Sequence, residues 1–369
     1  VPFRRHFILE LAAVAAIVGL GCPSDPPPAA ESDPPPVVAP VADAGGGAAP
    51  KTGVDPKVPQ TAATKKKGGL AGLAVGIVTD AKEAAKGPWT QLPASTRWLV
   101  HVELAPLRKS PMFDVTRDLI LKSIGPDDDA AATARRLRTC KLEPDALERI
   151  TLAISSNEHA VAIAVGEGFG VADNYACLAT ELRKDGKPVE FELTGEGEQR
   201  VLVHDGDHAY FLADDTVMMA DKELDEEVAV VRKGTGESAA TGPLAPLIEK
   251  VTASKQSWMV MANDGTGSSV GSGAMSKAIA MWGTATYDGE LSLSWVTEAA
   301  GTADGREIEA QLESTLGEFK GVSSMLGLPS GFESKVKLER DDKRITLSVT
   351  MDEADLKAID SAFRRFGGL

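Results

Sequence analysis

The feature that most limits the fold is a series of short runs in which apolar and polar residues alternate, each closed by a turn. Val189, Phe191 and Leu193 alternate across Val189–Leu193, and Gln199–His204, Ala209–Leu212 and Thr216–Ala220 continue the series. A period of two sends every second side chain to one face, so these runs predict antiparallel strands of a sheet with one buried face. Asp205-Gly206 separates two of them, and Asp-Gly is a strong two-residue hairpin signal because glycine accepts a positive φ. Upstream, Trp98–Leu104 reads as a strand, and Arg149–Ile154 and Ala160–Val165 as a pair around Ser155-Ser156-Asn157.

Helical periodicity fills the gaps. Phe113–Ser123 follows Ser110-Pro111, a usual helix start, and Ala130–Cys140 and Val171–Arg183 read as two more helices. The acidic run Asp127-Asp128-Asp129 precedes the second of these three, where the helix dipole favours negative charge. The last third repeats the order. Ser257-Trp258-Met259-Val260 echoes Arg97-Trp98-Leu99-Val100, a helix is predicted over Ala274–Trp282, and Glu290–Trp295 stands where Arg149–Ile154 stood. A helix over Arg306–Met325, a hairpin of Lys335–Glu339 with Arg344–Met351 around Asp341-Asp342, and a helix over Glu353–Phe366 close the chain. The expectation is an α+β fold made by tandem duplication of an antiparallel-sheet-plus-helices unit, residues 89–236 and 237–369, with one continuous domain as the alternative.

The N-terminal part obeys different rules. Arg4 and Arg5 precede an apolar run from Leu11 to Leu20, and Gly21 stands directly before Cys22. The run is shorter than the ~20 residues that cross a bilayer, so residues 1–21 read as an export signal. From Pro23 to about Thr64 the chain is dominated by Pro, Ala, Gly and Val, including Pro26-Pro27-Pro28, Pro34-Pro35-Pro36 and Gly45-Gly46-Gly47. Such a composition predicts a disordered, partly polyproline II tether. Lys65-Lys66-Lys67, the apolar stretch Gly68–Val78 and a short helix over Thr79–Lys86 complete residues 22–88, and the folded body starts near Trp89.

The small residue followed by Cys22 resembles the lipobox of bacterial lipoproteins. That resemblance implies cleavage before Cys22 and acylation of its thiol. It departs from the pattern three places before the cysteine, where Gly19 replaces the usual large aliphatic residue. Arg4-Arg5-His6-Phe7-Ile8 also resembles the twin-arginine export motif. The body is similar to those of Gram-negative envelope lipoproteins with Ser-Pro-led helices and a Leu-x-Pro segment, here Leu142-Glu143-Pro144, a likeness that implies no activity. Together these resemblances imply a chain of the cell envelope, anchored by lipid. Pro23 is not the aspartate that retains enteric lipoproteins at the inner membrane, which by resemblance favours the outer membrane facing the periplasm.

The formal charge of −15 repels a phosphate backbone and excludes nucleic acid as a partner. With Cys22 assigned to lipid, Cys140 and Cys177 remain, an even pair in a compartment that permits disulfides; a bridge between them is expected, against two unpaired buried thiols. Three stretches have the residue types of a site. Gly267-Ser268-Ser269-Val270-Gly271 fits Gly-x-Ser-x-Gly, but the last histidine is His208 and no base follows the serine. The same loop, Gly265–Gly273, matches no phosphate-binding pattern. His204-Asp205-Gly206-Asp207-His208 gathers two imidazoles and two carboxylates, and a hairpin there would set the imidazoles against each other, yet further ligands would have to come from elsewhere. His101 in its strand and His159 at its turn read as hydrogen-bonded structural residues, and Glu223, Asp225, Glu226 and Glu227 as the solvated face of a helix. No catalytic residue, metal or cofactor is therefore assigned. The expected function is a non-catalytic binding or interaction module whose partner is an envelope protein or an apolar or peptide-like ligand, with a periplasm-facing hydrolase as the alternative.

Overall fold

The computed structural model describes residues 87–111, 113, 117, 130–187, 189, 191–195, 200–204, 206–252, 256–263, 273–323 and 331–366. The expected signal, Cys22, the tether, the helix over 79–86, Asp127–Asp129 and the Gly267–Gly271 loop lie outside them, as does most of the expected helix over 113–123.

Twelve strands form one antiparallel sheet. They are β1 (Thr96–Glu103), β2 (Leu147–Ser155), β3 (Ala160–Gly166), β4 (Phe191–Thr194), β5 (Val201–His204), β6 (Asp207–Ala213), β7 (Thr216–Ala220), β8 (Ser257–Ala262), β9 (Ala278–Tyr287), β10 (Leu291–Ala299), β11 (Val336–Asp341) and β12 (Arg344–Met351). Among the described residues the helices are α1 (Leu104–Leu107), α2 (Ala130–Thr139), α3 (Ala172–Lys184), α4 (Asp225–Arg232), α5 (Ala245–Val251), α6 (Thr302–Ser323) and α7 (Glu353–Phe366). The strand order is β11-β12-β10-β9-β8-β1-β2-β3-β7-β6-β5-β4.

The order has an internal regularity about the β1–β8 pair, which is itself antiparallel. Outward from it, β1-β2-β3 is a meander followed in sequence by α3, and the chain returns from the far edge so that β7 pairs with β3. On the other side β8-β9-β10 is a meander followed by α6, and the chain returns from the edge so that β12 pairs with β10. Sheet pairing is unbroken across residues 236 and 237, because β1 and β8 share backbone hydrogen bonds.

The expected helix over Ala274–Trp282 is not formed. A short 3₁₀ turn over Gly273–Lys277 leads instead into β9, which runs from Ala278 to Tyr287. Ala, Met and Lys favour helix in isolation, but pairing with β8 on one side and β10 on the other overrides that preference. The position match also shifts: β10, which contains Leu291–Trp295, is third from the central pair, as β3 is, whereas Arg149–Ile154 lies in β2, second from it.

Alternation decides which face each helix covers. On the front face Leu99, Val161, Ile163, Val165, Met218, Trp258 and Val260 form the largest core, beneath Leu224 and Val228 at α4 and Leu247, Ile248 and Val251 of α5. On the back face Val100, Val102 and Met259 pack with Leu104. Farther along that face Met261, Met281 and Ile345 meet Ile308 of α6, and Leu291, Leu293, Val349 and Met351 meet Leu356 of α7. β1 is thus covered on both faces and reads as a nearly continuous buried run. Toward the far end of β9, β10 and β12 the front face is mostly hydroxyl-bearing: beyond Trp282 and Val296 it carries Thr284, Ser292, Ser294, Thr346, Ser348 and Thr350, with Ser292 and Thr350 exposed.

The start of α7 is fixed by a reciprocal cap. Asp352 Oδ1 accepts the Asp355 amide at 3.0 Å while Asp355 Oδ2 accepts the Asp352 amide at 3.0 Å, and the Lys335 ammonium bridges both carboxylates. α2 and α3 are joined by the Cys140–Cys177 disulfide, with Cα atoms 5.5 Å apart. The Arg136 Nε donates to Asp185 Oδ2 at 2.7 Å beside it.

Candidate functional site

The most completely built polar cluster lies at the centre of the sheet on the front face. Residues i and i+2 of a strand share a face, so His101 and Glu103 of β1 stand side by side, and cross-strand register sets Thr151 opposite His101 and Arg149 opposite Glu103. On the other side of His101 the register places Trp258 of β8. His101 Nδ1 lies 2.8 Å from Thr151 Oγ1 and Nε2 lies 3.1 Å from Glu103 Oε1. The Trp89 ring meets the imidazole edge-on at 5.6 Å between centroids, and the Trp258 ring is tilted against it at 5.3 Å. The hydrogen bond from His101 holds the Glu103 carboxyl below the usual carboxylate range, against the opposing effect of its partial burial.

A hydroxyl, an imidazole and a carboxylate linked in a row satisfy the connectivity of a nucleophile, a base and an orienting acid. Approach decides otherwise. Thr151 is 1 % exposed and His101 4 % exposed, both inside the packed face. A substrate carbonyl has no route to the Thr151 oxygen. The network satisfies a buried histidine and ties β1 to β2, with Trp258 of β8 packed against the imidazole; His101 is a hydrogen-bonded structural residue.

The two histidines of the expected β5–β6 hairpin do not meet. His204 pairs with Asp207, and His208 pairs with Val203, so neighbouring register positions send the imidazoles to opposite faces of the sheet. Gly206 takes the positive φ of +91° that the turn requires. His208 instead reaches α4, where its Nδ1 lies 2.6 Å from Asp225 Oδ2, and Tyr210 donates to Asp225 Oδ1 at 2.7 Å. Arg232 sits over the Tyr210 ring at 4.6 Å. Asp225 is therefore more than a member of a solvated acidic face: it ties α4 to β6. Glu227 does similar duty by accepting from Ser95 Oγ at 2.5 Å.

A second charged group rims the hydroxyl-bearing face. Glu298 of β10 lies 2.8 Å from Lys343, 3.8 Å from Arg344 and 3.9 Å from Lys250. The Lys343 contact above all keeps the Glu298 carboxyl below its ordinary range. Lys250 lies over the Trp282 ring at 3.9 Å, and burial lowers the affinity of its amine for a proton.

His159 closes the β2–β3 turn, whose shape is set by Glu158 in the left-handed region at φ +64°. Ser155 Oγ accepts the His159 amide at 3.2 Å, and the Ser155 amide donates to the His159 carbonyl at 2.8 Å. The β3–β7 register puts Ala220 opposite Val161. Asp221, one residue on, thereby falls beside Ala160, with its amide donating to the Ala160 carbonyl at 3.0 Å and its Oδ2 accepting the Ala160 amide at 3.0 Å. His159, Asp221 and Glu223 form the one group of metal-type donors in mutual reach among the described residues.

The chain matches no protein family and no curated protein. Among solved structures it is similar to TP0453. Crystal form III of that protein is 11 % identical at a TM-score of 0.43, with 76 % of this chain and 99 % of that chain covered. Crystal form I is 12 % identical at 0.43, with 75 % and 97 % covered. Among the described residues no helix is long and apolar enough to cross a membrane.

Proposed function

We propose that this chain is a membrane-anchored lipoprotein of the bacterial cell envelope, held by lipid on Cys22. Its folded body acts as a non-catalytic binding module for another envelope protein or a peptide-like or apolar ligand, and the tether of residues 23–64 sets its reach. The observation that carries the reading is the N-terminal arrangement: paired arginines at 4 and 5, an apolar run too short to span a bilayer, and a small residue directly before Cys22. The Cys140–Cys177 bridge supports it from the body, because disulfides persist in oxidising compartments such as the periplasm. The burial of Thr151 and His101 supports a binding rather than a catalytic role, since the one hydroxyl–imidazole–carboxylate row at the sheet centre lies out of substrate reach.

The body is, in the same proposal, a tandem duplication. Support comes from the element order on either side of β1 and β8: a three-strand meander, a helix, then strands returning from the edge to pair with the third strand of the meander. A two-fold axis normal to the sheet between β1 and β8 would relate the halves and keep α3 and α6 on the same face. The second unit returns with fewer strands than the first. Fractionation of cells expressing the full chain and its Cys22→Ser variant tests the anchor. The wild type should partition with membranes and the variant should appear in the soluble fraction. Equal partitioning of both would overturn the proposal.

A further inference from the structure

We propose that His159, Asp221 and Glu223 form a binding site for a divalent first-row transition cation of the zinc class, pinning the β2–β3 turn to the segment that leads into α4. The donor geometry is close to what such an ion needs. His159 Nδ1 lies 3.6 Å from Asp221 Oδ2 and 3.8 Å from Glu223 Oε2, and all three donor atoms fall within 4.8 Å of one another. Metal–ligand bonds of about 2.0–2.2 Å at tetrahedral angles separate the ligand atoms by roughly 3.3–3.6 Å. The two His159 separations need a contraction of a few tenths of an ångström at most, and the carboxylate oxygens, within 4.8 Å of each other, would close by rotation of the exposed Glu223 side chain.

Rigidity and access favour the same conclusion. Asp221 is held on both sides by Ala160, through its amide and through Oδ2, each at 3.0 Å. The bond from the Ala160 amide leaves a lone pair on that oxygen and orients the carboxylate, as outer hydrogen bonds do for metal ligands. The Ser155 hydroxyl, which accepts the His159 amide, and the Ser155 amide, which donates to the His159 carbonyl, fix the His159 backbone. Side-chain exposures of 30 % for His159, 13 % for Asp221 and 36 % for Glu223 leave one side of the cluster open to water, where a fourth ligand would enter. Lys222, which stands between the two carboxylates in sequence, reaches the Gly206 turn, with its Nζ 3.6 Å from the point where a Cβ on that glycine would stand. An imidazole nitrogen with two carboxylate oxygens suits Zn²⁺, Mn²⁺ or their neighbours better than Ca²⁺ or Mg²⁺, which take all-oxygen shells.

Calorimetric titration of the metal-stripped full chain with Zn²⁺ near neutral pH tests the site, with Co²⁺ absorption as a second reading of the coordination shell. One equivalent should bind saturably, Co²⁺ should give the visible bands of a four- or five-coordinate centre, and millimolar Mg²⁺ or Ca²⁺ should not displace either. His159→Gln and Asp221→Asn should each weaken Zn²⁺ binding at least ~10–100-fold and remove the Co²⁺ bands. Glu223→Gln changes an exposed side chain and leaves folding intact, and it should weaken binding similarly. Failure of the wild type to bind one equivalent, displacement by Ca²⁺, or Glu223→Gln binding as the wild type does would each overturn the proposal.

Discussion

Breaking the link between α2 and α3 gives the sharpest test of how the first half of the body is held. The disulfide joins residues separated by 37 positions, and the chain-entropy relation for a loop of that size gives ~3.8 kcal/mol at 25 °C. For a domain of this size roughly 2–4 °C of Tm accompany each kcal/mol, so opening the bond should lower Tm by on the order of 10 °C. Cys140 is buried beside Leu137 and Leu142, so alanine is the appropriate replacement and avoids burying a serine hydroxyl. Differential scanning calorimetry of Cys140→Ala, Cys177→Ala and the double variant separates a bond from two independent side chains. Either single change removes the whole bond, so the double variant should melt close to the singles, and reductant should lower the wild type but none of the three. Additive losses, or a wild type indifferent to reductant, would refute the reasoning.

Two further outcomes follow from local geometry. A Cβ at Gly170 would stand 1.5 Å from the Ala213 carbonyl oxygen, while the Gly170 amide donates to Asp214 at 3.1 Å, so Gly170→Ala should force the β6–β7 turn away. Chemical denaturation should report a loss of ~1–3 kcal/mol or more, and wild-type stability would contradict the close approach. Glu103 has a folded pKa below its unfolded value, so it contributes stability that is fully present above the unfolded value and disappears as pH falls through the folded one. The stability gap between wild type and Glu103→Gln, measured by urea denaturation at a series of pH values, should therefore be largest near neutrality and shrink in acid below the ordinary carboxylate range; a gap that widens in acid would contradict the His101 pairing.

Much of the sheet was legible because its strands alternate. Ile345, Leu347, Val349 and Met351 mark one face of β12 and Thr346, Ser348 and Thr350 the other, and Thr216–Ala220 and Glu353–Phe366 form β7 and α7 over the residues expected of them. β9 was not legible. Its Ala and Met residues, and Lys277 just before it, favour helix locally, and only its two neighbouring strands show why it is extended. The pairing of β1 with β8 and of β3 with β7 joins residues far apart in the chain, which no local pattern encodes. That is why the sequence pointed to the histidines at 204 and 208 as a metal-like cluster, while His159 read as a turn residue, Glu223 as part of a solvated face, and neither was grouped with Asp221. The former are adjacent in sequence but divided by strand pleat; the latter are brought together by the β3–β7 register across a separation of 61 residues between Ala160 and Asp221. The buried row of Thr151, His101 and Glu103 was hidden for the same reason, since His101 and Thr151 meet only through the β1–β2 register.

The central claim, that the chain is anchored to a membrane through its cysteine, is tested most directly by mass spectrometry of the N-terminal peptide of the protein expressed in a Gram-negative host and purified from it. The account predicts a mature chain that begins at Cys22 and carries the mass of a thioether-linked diacylglycerol on that residue. An N-terminal peptide with an unmodified Cys22 thiol, or a first residue elsewhere, would contradict it.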